Sequence, residues 1–372
     1  MKIGIDASRF RDSQATGVEW YSWHIINGIV RENARSKNPD EIILYTKNGF
    51  DETVFEDYRE HVKVKKIEAK RFWTLWALSR EIKRNKPDNL FVPSHAFPLI
   101  LPKKSVIMIH DVAFKYLRKA YSFLHYHYLN WSCKFAVKHA TTIVVPSEAT
   151  KKDLVNFYNC DESKIKVVLH GFEAPADVDD KIFEESEVLK YFELTPKSKY
   201  LLFVGRLETK KNLVRLVEAF ALFEKKNPDY KLVLAGKRGV GFQKLLKKVN
   251  ELSLAHKVIM PGYITQEEKT ALFKYCSVFT FPSLYEGFGL PILEAFYFKK
   301  PVLCSSISSL PEVAEEAVHY IDPYDVNNMA EGLELLVYMD KYMEGLVAKG
   351  SEQLKKFSWQ KTAKETLEIL KK

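Results

Sequence analysis

The stretch YEGFGLPILEAF, residues 285–296, holds two glutamates, Glu286 and Glu294, seven residues apart across a Gly-Phe-Gly-Leu-Pro turn. An ionised carboxylate only accepts hydrogen bonds, so Glu294 suits the vicinal diol of a ribose and Glu286, one loop earlier, the hydroxyl groups of a sugar. The turn between them has the opposite preference. Gly287 and Gly289 let the backbone approach a ligand closely, and Pro291 stands where a helix would start. The free N–H groups of such a helix start favour an anion such as a diphosphate. The plain alternative is that Glu294, expected in the first helical turn, complements the helix dipole while Glu286 is solvated.

These residues need strands to carry them. FPSLYEGFG follows the apolar run SVFTFPS (277–283), which places Glu286 in the loop at the carboxyl end of a strand. Short β-branched runs alternate with helical patterns along the whole chain, the signature of βαβ units and parallel sheets. One series comprises KIGID (2–6), EIILYT (41–46), NLFVPS (89–94), SVIMIHD (105–111), TTIVVPS (141–147) and KVVLHG (166–171). A second comprises KYLLFVG (199–205), YKLVLAG (230–236), KVIMPG (257–262), SVFTFPS and PVLCSS (301–306). A chain of 372 residues exceeds what one core usually supports, so two α/β domains of Rossmann type are expected, with ligands at the carboxyl ends of the strands.

The acidic stretch 172–199 reads as the linker, with the boundary near residue 180. The domains are then 1–180 and 181–356, and residues 357–372, which hold SWQKTAKETLEILKK, add a terminal helix whose apolar stripe, Ala363, Leu367 and Leu370, must be covered. In NLVRLVEAFALFEKK (212–226), Asn212 is the expected N-cap.

Hydrophobic residues at 46% and charged residues at 28% describe an ordinary globular chain. The amino-terminal residues lack the apolar core of a signal peptide, and no apolar run approaches a membrane span. Cys133, Cys160, Cys276 and Cys304 show neither metal-ligand nor disulfide spacing, which fits reduced thiols in a cytosol. Residues 1–175 carry 28 Lys+Arg against 20 Asp+Glu, leaving 29 against 28 for the rest, so the positive excess belongs to the first half. Such a face attracts anionic lipid, phosphorylated carriers or nucleic acid alike. The run FKYLRKAYSFLHYHYLNWSCKFAVKH (114–139) interleaves aromatic and basic residues, which suits an anionic membrane edge, or else an ordinary helix with core aromatics. His125 and His127 are two apart in a helical context and do not face each other, so no metal site is expected.

The segment around Glu286 and Glu294 resembles the nucleotide-binding motif of the retaining glycosyltransferases of family 4, which are built from two Rossmann-like domains facing each other across a cleft (GT-B). The resemblance implies that Glu286 touches the donor sugar, that Glu294 holds the ribose, and that the amides of Phe288, Gly289 and Leu290 hold the diphosphate. VGRLETKKN (204–212) is similar to a second family element and implies that Arg206 and Lys211 stabilise the departing diphosphate, with Lys210 the substitute if the register shifts by one. TGVEWYS (16–22) resembles the segment after the family's first strand, with Gly17 approaching the diphosphate. VIMIHDVAF (106–114) resembles the strand that ends in His-Asp and brings His110 near the reacting carbon; Asp111 reads as a helix cap. Arg206, Lys211, Glu286 and His110 are the catalytic candidates.

What the resemblance implies is transfer of a hexose, with mannose favoured, from a nucleoside-diphosphate sugar to a hydroxyl of a cell-surface glycan or lipid-linked acceptor. It implies retention of configuration and no metal or other cofactor. The expected location is cytoplasmic, peripheral on the inner face of the membrane. An epimerase or hydrolase of the same architecture is the alternative. A nucleic-acid-binding protein is a weaker one, since no nucleic-acid motif is present.

Overall fold

The computed structural model describes residues 1–11, 17–47, 49–69 and 71–372; Thr16 of the TGVEWYS segment lies outside them. The chain divides into two compact units, Met1–Gly171 with Phe357–Lys372, and Phe172–Lys356.

The first unit holds β1 (Lys2–Asp6), β2 (Glu41–Thr46), β3 (Val62–Lys66), β4 (Asn89–Val92), β5 (Lys104–Met108), β6 (Thr142–Val145) and β7 (Ile165–Val167). All pair in parallel, in the order β3-β2-β1-β4-β5-β6-β7. The second unit holds β8 (Tyr200–Val204), β9 (Lys231–Ala235), β10 (Val258–Gly262), β11 (Val278–Phe281), β12 (Val302–Ser305) and β13 (His319–Ile321). These too are parallel, ordered β10-β9-β8-β11-β12-β13. Each is a doubly wound α/β sheet. Because helices cover both faces, the central strands are apolar throughout: Tyr200, Leu201, Leu202 and Phe203 of β8 are all fully buried.

The two edge strands β3 and β13 escaped the sequence reading. VKVKK alternates valine with lysine on an edge, and HYI is only three residues long.

The stretch read as a linker is structured. Helices Ile182–Glu185 and Glu187–Tyr191 belong to the second unit, where the Ser186 hydroxyl donates to Glu268, Lys274 Nζ reaches Asp180 at 3.1 Å, and Phe183 packs edge-on against Tyr275. Of its carboxylates, Asp177 and Asp180 pair with Lys274 of helix Gln266–Tyr275, and the division falls after Gly171, ahead of residue 180.

The terminal helix, Trp359–Lys371, packs in the first unit against helix Gly17–Ala34 and buries Ala363, Leu367 and Leu370. The contact is close enough that a Cβ at Gly28 would lie 2.6 Å from that of Ala363. The Thr362 hydroxyl donates to the Leu169 carbonyl at 2.7 Å, and the Asn89 amide donates to the Leu370 carbonyl. All four cysteines are buried free thiols. Among the described residues no helix is long and apolar enough to cross a membrane.

Candidate active site

In the second sheet the connections run from β8 to β9 to β10 on one side and from β11 to β12 to β13 on the other, so the order reverses between β8 and β11. Loops leaving the two strands at such a point diverge and leave a crevice at their carboxyl ends. Arg206, Lys210 and Lys211 lie on the loop after β8, and Glu286 on the loop after β11. The loops are joined by a hydrogen bond from the Leu284 N–H to the Lys210 carbonyl, 2.8 Å long.

This brings Glu286 between two ammonium groups. Lys211 Nζ is 2.5 Å from Oε1, and Lys210 Nζ is 3.7 Å from Oε2. Burial by itself would push the Glu286 carboxyl up, but the charges of Lys211 and Lys210 outweigh it and hold the group below the usual carboxylate range. Glu286 is thus buried, ionised and paired, where the plain expectation was a solvated side chain. Both Lys210 and Lys211 thus flank Glu286. Arg206 is exposed, and no carboxylate pairs with it among the described residues. The three cations and one carboxylate leave a net positive charge at the switch point, which suits a diphosphate.

The backbone after Glu286 is arranged for the same ligand. Gly289 has φ +120°, a conformation that favours glycine, and precedes helix Leu290–Tyr297 with Pro291 in its first turn. The N–H groups of Gly289 and Leu290 have no acceptor among the described residues. Gly287 and Phe288 are buried. Two serines that sequence reasoning missed brace the turn. The Ser309 hydroxyl is 2.9 Å from the Glu286 carbonyl and 3.0 Å from that of Phe288, and the Ser308 hydroxyl is 2.5 Å from the Glu286 carbonyl. They stand in SISSLPE after β12, a run that reads as nothing more than a helix entry.

Glu294 falls in the second turn of its helix, not the first, because the helix begins at Leu290. There it cannot serve the first-turn dipole. It is paired instead with Lys269, whose Nζ is 2.5 Å from Oε1. Lys269 was also missed, since one lysine on the helix of a lysine-rich chain carries no signal. Asn212 occupies the N-cap position of helix Leu213–Glu224, but at φ +59° its side chain does not cap; its amide donates to the Pro323 carbonyl at 2.6 Å and its oxygen accepts from Arg215.

In the first unit His110 follows β5. Its Nε2 lies 3.0 Å from the Pro93 carbonyl, and its ring meets Tyr21 edge-on at 4.8 Å. Burial pushes its pKa down to about 4 despite the Pro93 contact. A carbonyl only accepts, so Nε2 carries the proton and Nδ1 of the neutral ring is left as an acceptor. This bond ties His110 to the loop after β4 and leaves Nδ1 without a hydrogen-bond partner among the described residues. Asp111 accepts from the Ala113 N–H at 3.0 Å, but it stands one residue ahead of Val112, which holds the N-cap position of the short helix Ala113–Tyr116. Gly17 opens its helix, and a Cβ there would meet nothing within 4 Å among the described residues. Among those residues no group of three or more His, Cys, Asp or Glu side chains is placed to hold a metal ion.

Two family models match the chain side by side: Glycosyltransferase Family 4 over residues 17–174 and Glycosyl transferases group 1 over residues 186–353. The chain belongs to the family 4 glycosyltransferases. The transferase is 28% identical over 271 residues to the O-antigen chain mannosyltransferase B of Escherichia coli, an alignment that takes in 72% of this chain and 70% of that one. Of several other curated relatives it spans between 32% and 60% of the length. Among solved structures it matches sucrose-phosphate synthase from Thermosynechococcus elongatus with a TM-score of 0.76 at 16% identity, covering 100% of this chain and 98% of the other. Anabaena HepE, in complex with UDP and glucose, matches with a TM-score of 0.71 at 16% identity, covering 100% and 99%. At such identities the likeness is one of fold, and the fold of this glycosyltransferase is the double Rossmann arrangement of the GT-B type.

Proposed function

We propose that the glycosyltransferase moves a hexose from a nucleoside-diphosphate sugar to an acceptor hydroxyl with retention of configuration. The second unit takes the donor and the first the acceptor. The observation that carries the reading is the convergence of Lys210 and Lys211 on one buried carboxylate, Glu286, with Arg206 exposed on the same loop as the lysines and a helix start with open N–H groups after the glutamate. The cations and amides take the two phosphates, Glu286 faces the sugar hydroxyls, and Glu294 faces the ribose. His110, neutral at physiological pH, offers Nδ1 to a sugar or acceptor hydroxyl.

In the reaction the bond from the anomeric carbon to the phosphate oxygen breaks and the bond to the acceptor oxygen forms on the same face. The acceptor's proton passes to the departing diphosphate, whose growing charge Arg206 and Lys211 stabilise. No metal enters this scheme. Mannose is the favoured sugar, because the E. coli relative is a mannosyltransferase of O-antigen chains; by the same analogy the acceptor is a growing surface glycan on a lipid carrier. The UDP and glucose in the Anabaena neighbour support a nucleotide-sugar donor.

The test is incubation with GDP-mannose, UDP-glucose and their relatives plus a lipid-linked glycan, with the product's anomeric configuration read by NMR. An α-linked product from an α-linked donor is expected. An inverted product overturns the retaining mechanism, and consumption of donor without acceptor favours an epimerase or hydrolase.

Contact with an anionic membrane is part of the reading. Helix Phe123–His139 exposes Phe123 and Leu124 at its start, and Trp131 further on. Phe72, Trp76, Leu99 and Ile100 are also exposed, and their loops are tied together where the Leu99 N–H donates to the Ser79 hydroxyl oxygen at 2.7 Å. With Arg118, Lys119 and Arg80 nearby in sequence, these side chains form the aromatic and basic mixture that suits an anionic interface. Flotation with vesicles containing phosphatidylglycerol is expected to carry the protein upward, and Phe123→Ser with Leu124→Ser to weaken this. Equal flotation with neutral vesicles, or none with either, removes the membrane from the picture.

A further inference from the structure

The pairing of Glu294 with Lys269 points to a specificity device that the glutamate by itself does not provide. We infer that Lys269 is a second ribose-reading residue, and that Glu294 and Lys269 together select ribonucleotide over deoxyribonucleotide donors. The inference rests on the donor site proposed above.

A ribose diol presents two hydroxyls, each with one proton to donate and lone pairs to fill. An ionised carboxylate can only accept those protons. A lysine ammonium, with three N–H bonds and no acceptor, supplies what the lone pairs need. The two groups lie 2.5 Å apart through Oε1, and Glu294 Oε2 has no partner among the described residues. The pair is partly accessible, with side-chain exposures of 16% and 18%.

The lysine is also firmly mounted. Helix Gln266–Tyr275 starts with a capping box in which the Thr265 hydroxyl accepts from the Glu268 N–H at 3.2 Å and Glu268 accepts from the Thr265 N–H at 2.8 Å. The other oxygen of Glu268 takes the buried Ser186 hydroxyl. Behind it Thr270, Ala271, Leu272 and Phe273 are buried. Lys269 thus stands on a fixed first turn, so placing its ammonium beside Glu294 requires little ordering when a ligand arrives. Because the pair is neutral overall, it adds nothing to the positive charge at Lys210, Lys211 and Arg206 and acts on the sugar ring only.

The experiment is calorimetric titration of the full chain with GDP, UDP and ADP and with their 2′-deoxy counterparts, in the wild type, Lys269→Met and Lys269→Arg. The wild type is expected to bind its preferred ribonucleotide about tenfold or more tighter than the deoxy form, the usual scale for a hydrogen bond to a charged group. In Lys269→Met the ribonucleotide weakens and the ratio falls severalfold, to the part that Glu294 alone supplies, while the deoxy form is little changed. Lys269→Arg, which keeps the donors, retains part of the preference and controls for folding. An unchanged ratio in Lys269→Met overturns the inference but leaves the donor site standing, as does a wild type that binds both sugars equally. A wild type that binds none of the nucleotides removes the donor site, and this inference with it.

Discussion

Glu286 lies between two lysines that its own neighbourhood in sequence does not contain. Removing its charge strands both ammonium groups beside each other in a partly buried site, and breaking one side of such a pair costs about 3–5 kcal/mol. Glu286→Gln should therefore unfold the second unit at a lower denaturant concentration and lower kcat. A nucleoside diphosphate should recover more stability in the variant than in the wild type, because its phosphates replace the lost counter-charge. Denaturation midpoints with and without GDP check this, and an equal ligand-induced gain in both proteins would contradict the ion-pair account. The sequence disclosed the chemistry of these residues but not their partners. The spacing from Glu286 to Glu294 marked a carboxylate pair around a phosphate turn. That Lys211 and Lys269 would each hold one of the carboxylates depends on which strands lie side by side, which spacing within one loop does not encode.

At the level of elements, the turn before helix Leu290–Tyr297 depends on one backbone conformation. A Cβ at Gly289 would sit 3.0 Å from Leu310 Cδ2 and 3.3 Å from Ile292 Cδ1, on a residue with φ +120°. Gly289→Ala should cost about 1–3 kcal/mol. It should also turn the Leu290 N–H away from an anion, raising the Kd for the diphosphate more than the stability loss alone explains. Calorimetry beside a urea midpoint separates the two, and a stability loss with unchanged Kd would detach this turn from the phosphates. The strands were legible because fully buried parallel strands are continuous apolar runs, as in YLLFV (200–204) and VFTF (278–281). Edge strands β3 and β13 lack that signal, having a solvent side or too few residues. The polar stretch after Gly171 misled for a related reason: two of its carboxylates, Asp177 and Asp180, meet Lys274 and the Ser186 hydroxyl meets Glu268, and composition cannot tell a paired charge from a solvated one.

Across the first unit as a whole, burial holds four histidines neutral, His95 among them. Burial pushes His24 down to about 4, with Arg31 adding to the effect; burial pushes His110 to about 4; and burial, with His110 beside it, holds His170 well below its ordinary value. Between the ordinary value of 6.5 and about 4, the unfolded chain takes up protons that the folded unit refuses. Stability then rises with pH across that window and is lost as pH falls through it. Carboxylates held below their usual range, such as Glu286, act only below their ordinary 4.5, whereas Asp6, held above its ordinary 3.8 by burial, works against the histidines, which outnumber it. Denaturant midpoints measured from pH 7.5 down to 5 should fall, and His24→Gln should flatten the slope. A level profile would show that these rings accept protons in place.

The terminal helix has a consequence for how the molecule is made. The second unit is one uninterrupted run of chain, residues 172–356, so all of it can emerge and condense before residues 357–372 are made. The first unit is assembled from two separated pieces: until residues 357–372 arrive, the flank of helix Gly17–Ala34 at Gly28, where Ala363 will nest, has nothing to cover it. The half that begins first is therefore completed only after the other, and a ribosome that stalls before residue 357 leaves a nascent chain with an apolar furrow open to chaperones and to other unfinished copies.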